Sequence, residues 1–206
     1  AAKGAPSPNP YVGAVIAKRG SVIGKGFHSK AGMAHAEIEA LRSLKNPLDA
    51  KGAALYVNLE PCAHHGRTPP CSKAVIEAGI KRVVFAMKDP NPNVKGNGGK
   101  ELLEAGIEVK KGILESEARE LNEVFIKYST TGLPFVVLKV AMSADGKTAT
   151  RKGDSRWITS EEARKHARSL RGKYDAVLVG INTILADNPH LTARTGGLKD
   201  PVRIVL

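Results

Sequence analysis

Apolar and polar positions alternate in two short runs near the start of the chain, at residues 11–17 and 21–26, on either side of Lys18-Arg19-Gly20. A period of two around a glycine-bearing turn predicts a pair of strands. The pattern then changes period. Residues 35–44 repeat at helical spacing, 54–59 are an apolar run, 71–78 are helical and 82–87 are apolar again. A helix over 100–105, a short strand over 108–112 and a longer helix over 116–128 follow. Helices alternating with apolar strands predict an α/β sheet with strands buried on both faces. Strand ends and helix starts then share one edge, where ligands usually bind in such sheets.

Thr130-Thr131-Gly132-Leu133-Pro134 breaks the alternation and reads as a boundary, dividing the chain into domains 1–131 and 132–206. Past it, an apolar strand over 135–142 leads into Ser143-Ala144-Asp145-Gly146-Lys147. A helix capped by Ser160 or Thr159, with Glu161 and Glu162 in its first turn, runs to about Lys173. Strands over 176–180 and 201–206 follow. Ala1-Ala2-Lys3-Gly4 reads as the last turn of a helix with a glycine stop, and the chain ends inside a strand. The expectation is a fragment, or a chain with segments absent.

Composition narrows the class. With 42% hydrophobic residues the chain can build a core, and no apolar run approaches membrane-spanning length. Two cysteines and no signal peptide argue for a reducing, cytoplasmic compartment. The formal net charge of +12 suits nucleic acid, phosphorylated small molecules, or simply a lysine-rich surface. The lysines are dispersed and aromatics are 4%, which leaves no stacking platform for single strands.

The chemistry concentrates in His35-Ala36-Glu37, then Pro61-Cys62, then Cys71. One imidazole and two thiolates are a zinc ligand set, and three protein ligands with a fourth position for water mark a catalytic site. Glu37 is positioned to move protons without binding the metal, as in nucleobase deaminases. Residues i and i+2 do not share a helical face, so His35 and Glu37 converge only at a helix mouth. Cys62 follows an apolar strand, and Cys71 opens a helix whose free amides favour thiolate. A disulfide between the two cysteines is the alternative.

The segment from Leu59 through Cys71, with His64-His65-Gly66-Arg67-Thr68 lengthening the loop between the cysteines, resembles the bifunctional deaminase–reductase of riboflavin biosynthesis. So do Pro8-Asn9-Pro10, Gly26-Phe27-His28 and Asp89-Pro90-Asn91-Pro92, and the resemblance covers essentially the whole chain. It implies a cytidine-deaminase-like three-layer α/β/α domain followed by a partial dihydrofolate-reductase-like α/β domain. It implies hydrolytic deamination of 2,5-diamino-6-ribosylamino-4(3H)-pyrimidinone 5′-phosphate with zinc, then NADPH-dependent reduction of the ribosyl to the ribityl chain. Residue by residue, it makes His35, Cys62 and Cys71 the metal ligands and Glu37 the proton shuttle. Asn9, His28 and His64 fall near the pyrimidine or its phosphate; the plain alternative for each histidine is a satisfied loop residue. Ala141, Trp157, Thr183 and Asp187 match positions contacting NADPH, and Ser155, Arg171, Leu191 and Arg194 match positions contacting substrate.

Lys139 joins the substrate group because a lysine inside an apolar strand needs a partner; its alternative is an edge position facing solvent. Core packing is the alternative for Trp157, and surface charge for the two arginines. There is no GxGxxG, so a dinucleotide would not bind in the Rossmann manner. The resemblance further implies a homo-oligomer, dimer or tetramer, with no nucleic-acid or membrane partner. Two other readings use the same zinc site: a nucleic-acid-editing deaminase, which the dispersed charge and the second block oppose, and a non-catalytic zinc module, which Glu37 opposes.

Overall fold

The computed structural model describes residues 6–64, 69–92, 97–194 and 199–206. The chain divides into two compact units, Ala1–Phe135 and Val136–Leu206.

The first unit is built on strands β1 (Gly13–Lys18), β2 (Ser21–Phe27), β3 (Ala54–Leu59), β4 (Arg82–Met87) and β5 (Glu108–Lys111). They lie in the order β2-β1-β3-β4-β5. The β1–β2 hairpin turns at Arg19 and Gly20, both at positive φ, as tight hairpin turns need. β1 is antiparallel to β2 and β3, whereas β3, β4 and β5 are parallel. The end of β2, the start of β1 and the ends of β3 and β4 therefore lie along one edge.

Helix α1 (Ala36–Arg42) lies directly on the backbone of β2. A Cβ on Gly24 would sit 2.6 Å from the Ala40 carbonyl oxygen, and one on Gly26 would sit 2.2 Å from the Ala40 nitrogen. Register places Ala14, Ile16, Leu55, Val57, Val83 and Phe85 on the same sheet face as those glycines. These six are buried in one apolar core. Helices α2 (Cys71–Glu77) and α3 (Asn97–Glu104) pack against each other, and the Phe85 ring reaches the backbone of Gly99 in α3. Val84 and Ala86, on the opposite face, are buried too, and α4 (Glu115–Leu121) packs on β3 and β4.

The expected burial on both faces holds for β4 alone among these strands. Antiparallel β1 and β2 make the other side of the sheet an open face, with Tyr56 and Val22 half exposed. The single helix expected over 116–128 is two, α4 and α5 (Glu123–Thr131), broken at Asn122. Asn122 is buried because its side chain serves another segment. Its Oδ1 accepts from the Tyr11 amide at 2.8 Å and its Nδ2 donates to the Tyr11 carbonyl at 3.1 Å. The helix expected from Lys100 begins earlier, at Asn97.

The second unit contains α6 (Glu161–Leu170), β6 (Ala176–Val179), α7 (Ile181–Asp187) and β7 (Val202–Val205), with β6 and β7 parallel. Ser160 caps α6 as expected, its hydroxyl accepting from the Ala163 amide at 3.2 Å. The strand expected over 135–142 is absent. These residues are irregular, and Val136 and Leu138 are 82% and 85% exposed. A strand requires a neighbour for its amides and carbonyls, and among the described residues none pairs with this segment. The proposed turn at residues 1–4 and the loop residues His65–Thr68 lie outside the described residues.

Candidate metal centre

His35 is the N-cap of α1 rather than part of its body, with an extended backbone (φ −72°, ψ 162°). This is the helix mouth that brings His35 and Glu37 together. β3 ends at Leu59 and delivers Cys62 three residues later; Cys71 is the first residue of α2. The Cys71 amide donates to the Cys62 sulfur at 3.4 Å. His35 Nδ1 is 3.2 Å from the Cys71 sulfur and 3.5 Å from that of Cys62. All three ligand atoms lie within 4.8 Å of one another.

This spacing fits a common tetrahedral ion. A nitrogen at about 2.0 Å and a sulfur at about 2.3 Å from zinc stand roughly 3.6 Å apart. Both cysteines are free and buried, so the disulfide alternative falls.

The electrostatics suit a cation. The Cys62 thiol is pushed down to about 4, first because the Cys71 thiol donates to it and further by His35, against the effect of burial. The proton stays on Cys71, which is pushed up by that same bond and by burial. The hydrogen bond to Cys62 also raises His35. Two sulfurs and an imidazole holding protons between them are a site from which a metal displaces protons. Burial, with the Cys62 charge adding to it, pushes the Glu37 carboxyl up to about 7 against the opposing effect of hydrogen bonds and of His35. A carboxyl poised near neutrality suits proton transfer.

These groups open into a cavity of about 370 Å³ whose walls include Asn9, His28, His35, Glu37, Cys62 and His64. His28 is buried and satisfied: Nδ1 faces the Ala34 carbonyl at 3.0 Å and Nε2 faces Asn9 Nδ2 at 2.9 Å. Nδ1 therefore carries the proton and Nε2 accepts from Asn9. Thus His28 is both the satisfied histidine of the plain alternative and a cavity wall.

Asp89, Asn91 and Phe125 also line the cavity and carry no role in the sequence reading. Asp89 lies two residues past the end of β4, where parallel strands present ligand groups, a placement that could have flagged it. Its carboxyl is raised by burial.

The second unit brings fewer of its candidates together. Thr183 and Asp187 stand four apart on α7, and Asp187 Oδ1 pairs with Arg156 Nη2 at 2.8 Å beside Trp157. Trp157 is 71% exposed, so core packing does not hold it; the Arg164 guanidinium lies 4.3 Å from its ring centre. Ala141 is half-buried and Ser155 exposed in irregular segments. Arg171 donates to the Thr192 carbonyl at 3.3 Å, and burial, then Arg194 and Arg168 nearby, hold its guanidinium below the usual range. Leu191 is buried and Arg194 exposed, both at positive φ. Lys139 is exposed and outside any strand, which removes the argument from an apolar strand and leaves it facing solvent. These mostly exposed groups do not enclose a dinucleotide.

The chain matches the cytidine and deoxycytidylate deaminase zinc-binding region over residues 1–87 and the RibD C-terminal domain over residues 134–206. It is 55% identical to the riboflavin biosynthesis protein RibD of Aquifex aeolicus over 99% of this chain and 57% of that protein. It is 48% identical to that of Escherichia coli over 97% of this chain and 57% of the relative. The crystal structure of a diaminohydroxyphosphoribosylaminopyrimidine deaminase/5-amino-6-(5-phosphoribosylamino)uracil reductase from Thermotoga maritima superimposes with a TM-score of 0.89 at 49% identity, covering 96% of this chain and 56% of that one. The chain thus spans a little over half the length of the relatives it matches. With a deaminase zinc-binding region and a RibD C-terminal domain in sequence, and such identity from end to end, the chain is similar over nearly its whole length to the riboflavin biosynthesis proteins RibD.

Proposed function

We propose that residues 1–131 deaminate 2,5-diamino-6-ribosylamino-4(3H)-pyrimidinone 5′-phosphate hydrolytically, and that residues 132–206 belong to an NADPH-dependent reductase domain. The observation that carries the first part is the convergence of His35, Cys62 and Cys71 at zinc-ligand spacing, with buried Glu37 beside them in one cavity. Those three would hold zinc, which when bound would supply a water activated at neutral pH. Glu37 would take a proton from that water. It delivers protons to the ring nitrogen and to the amine, so the C–N bond breaks as a C–O bond forms and ammonia leaves. Asn9, oriented by His28, and His64 line the cavity on the side where the ring and its ribosyl phosphate would sit. The nucleic-acid-editing reading is not favoured, because the identity to RibD proteins runs the length of the chain.

In the second unit, Arg171 and Arg194 are assigned to substrate phosphate, for which guanidinium offers forked donors, with Ser155 and Leu191 beside them and Lys139 as an outlying candidate. Ala141, Trp157, Thr183 and Asp187 are assigned to NADPH. Their exposure leaves the cofactor unenclosed in this unit. The active form is taken as a cytoplasmic homo-oligomer, dimer or tetramer; two buried free thiols suit a reducing compartment. No described helix is long and apolar enough to cross a membrane.

The deaminase assignment is tested by supplying the diaminopyrimidinone phosphate, cytidine and an adenosine-containing RNA hairpin in parallel and following ammonia. Release from the first is expected. Ammonia from the RNA alone overturns the assignment.

A further inference from the structure

The two sulfurs sit on different elements, and a third element that carries no ligand contacts both. Cys62 lies in the segment leaving β3, and Cys71 heads α2. The N-terminal half of α3 is fastened to both. Glu60, buried two residues before Cys62, reaches out with both carboxylate oxygens. Oε1 accepts from the Gly99 amide in α3 at 2.8 Å, and Oε2 accepts from the Asp89 amide past β4 at 3.2 Å. From α3, the Glu101 carboxylate accepts from the hydroxyl of Ser72, which is buried next to Cys71. The Ser72 amide in turn donates to the Cys62 carbonyl at 3.1 Å.

The circuit closes: Cys62, α2, Glu101, α3, Glu60, and back to the Cys62 segment. Its tightness is visible at Gly98, where a Cβ would lie 1.7 Å from the Pro61 carbonyl oxygen, so no larger residue fits between α3 and the cysteine-bearing segment.

We infer that Glu60 and Glu101 are positioning residues that, through α3, hold Cys62 and Cys71 at metal-binding separation before the metal arrives. The inference rests on the zinc assignment of His35, Cys62 and Cys71. Neither carboxylate lies in the ligand set, so the effect is indirect, as when outer partners orient metal ligands. Glu60→Gln keeps the shape but sets an NH₂ group against one of two backbone amides, leaving a donor facing a donor. Ser72→Ala removes the other fastening without adding bulk, together with the bond that the same hydroxyl donates to the Cys62 carbonyl at 3.1 Å.

The experiment measures zinc affinity of the folded metal-free protein by competition with a chromophoric chelator, and records the visible absorption of the cobalt-substituted form. Thermal unfolding of the metal-free protein is followed separately. Glu60→Gln is expected to weaken zinc roughly 10- to 100-fold and to shift the cobalt bands, with Ser72→Ala in the same direction. A merely structural role would lower the melting temperature and leave affinity and bands as in the wild type; that result in both variants overturns the inference. Should Glu60→Gln fail to fold, Ser72→Ala decides alone. If the wild type itself takes up no zinc, the metal assignment has failed, which is a different outcome from wild-type affinity in the variants.

Discussion

Val83-Val84-Phe85-Ala86-Met87 in the first unit and Val136-Val137-Leu138 in the second are similar on paper: short, apolar and rich in β-branched residues. In the fold they part. Every residue of the first run is at most 8% exposed, whereas Val136 and Leu138 are 82% and 85% exposed. β4 lies between β3 and β5, so both rows of its backbone groups are paired. The other run has no strand beside it among the described residues. An apolar sequence specifies what a strand can do with neighbours; the neighbours decide whether it becomes one.

The chemistry divides the same way, and Glu37→Gln tests that division most strongly. Removing the proton carrier is expected to cut ammonia release by about 10²- to 10⁴-fold, with zinc content per chain unchanged. Loss of zinc together with activity would mean that Glu37 holds the site together rather than carrying protons. Next comes packing. Phe85→Ala is expected to cost about 3–5 kcal/mol in urea unfolding, against no more than about 0.5 kcal/mol for the exposed Leu138→Ala. Equal losses would erase the contrast between the two runs.

Glu37 should also add its own share to the pH response of the metal-free protein, read as the difference between wild type and Glu37→Gln. Burial raises Glu37 from 4.5 to about 7 in the fold, so its contribution is fully present below pH 4.5 and is lost as pH rises through about 7. The drop is of order 3 kcal/mol, from ~1.36 kcal/mol per pKa unit, and the metal-free Glu37→Gln variant should lack it. A wild-type curve parallel to the variant's would remove the buried carboxyl as its cause. The smallest effect belongs to the second unit. Ser160→Ala removes the cap of α6 and should cost about 1 kcal/mol, read as faster amide exchange at Ala163 and its neighbours while β4 exchanges as before.

What could be read from the chain follows the same line. The bounds of β3 and β4 were legible because an apolar run flanked by turn signals leaves little choice. His35, Cys62 and Cys71 were legible because zinc chemistry restricts which side chains can meet. Asn122 was not: its break in the helix is set by bonds to Tyr11, far away in sequence. Glu60 escaped for a similar reason, since its partners are backbone amides that no residue name reveals. The argument for Lys139 lost its footing because it presupposed a strand over 135–142 that is absent from the fold.

The contact of α1 with Gly24 and Gly26 bears on how this fold can drift. The helix whose mouth carries His35 and Glu37 rests on bare main chain, with no side chain acting as a shim. A single added methyl on β2 would lift that helix and move His35 and Glu37 away from the two cysteines, although neither glycine lines the cavity. Damaging substitutions in this protein should therefore include two on a strand that supplies no candidate ligand.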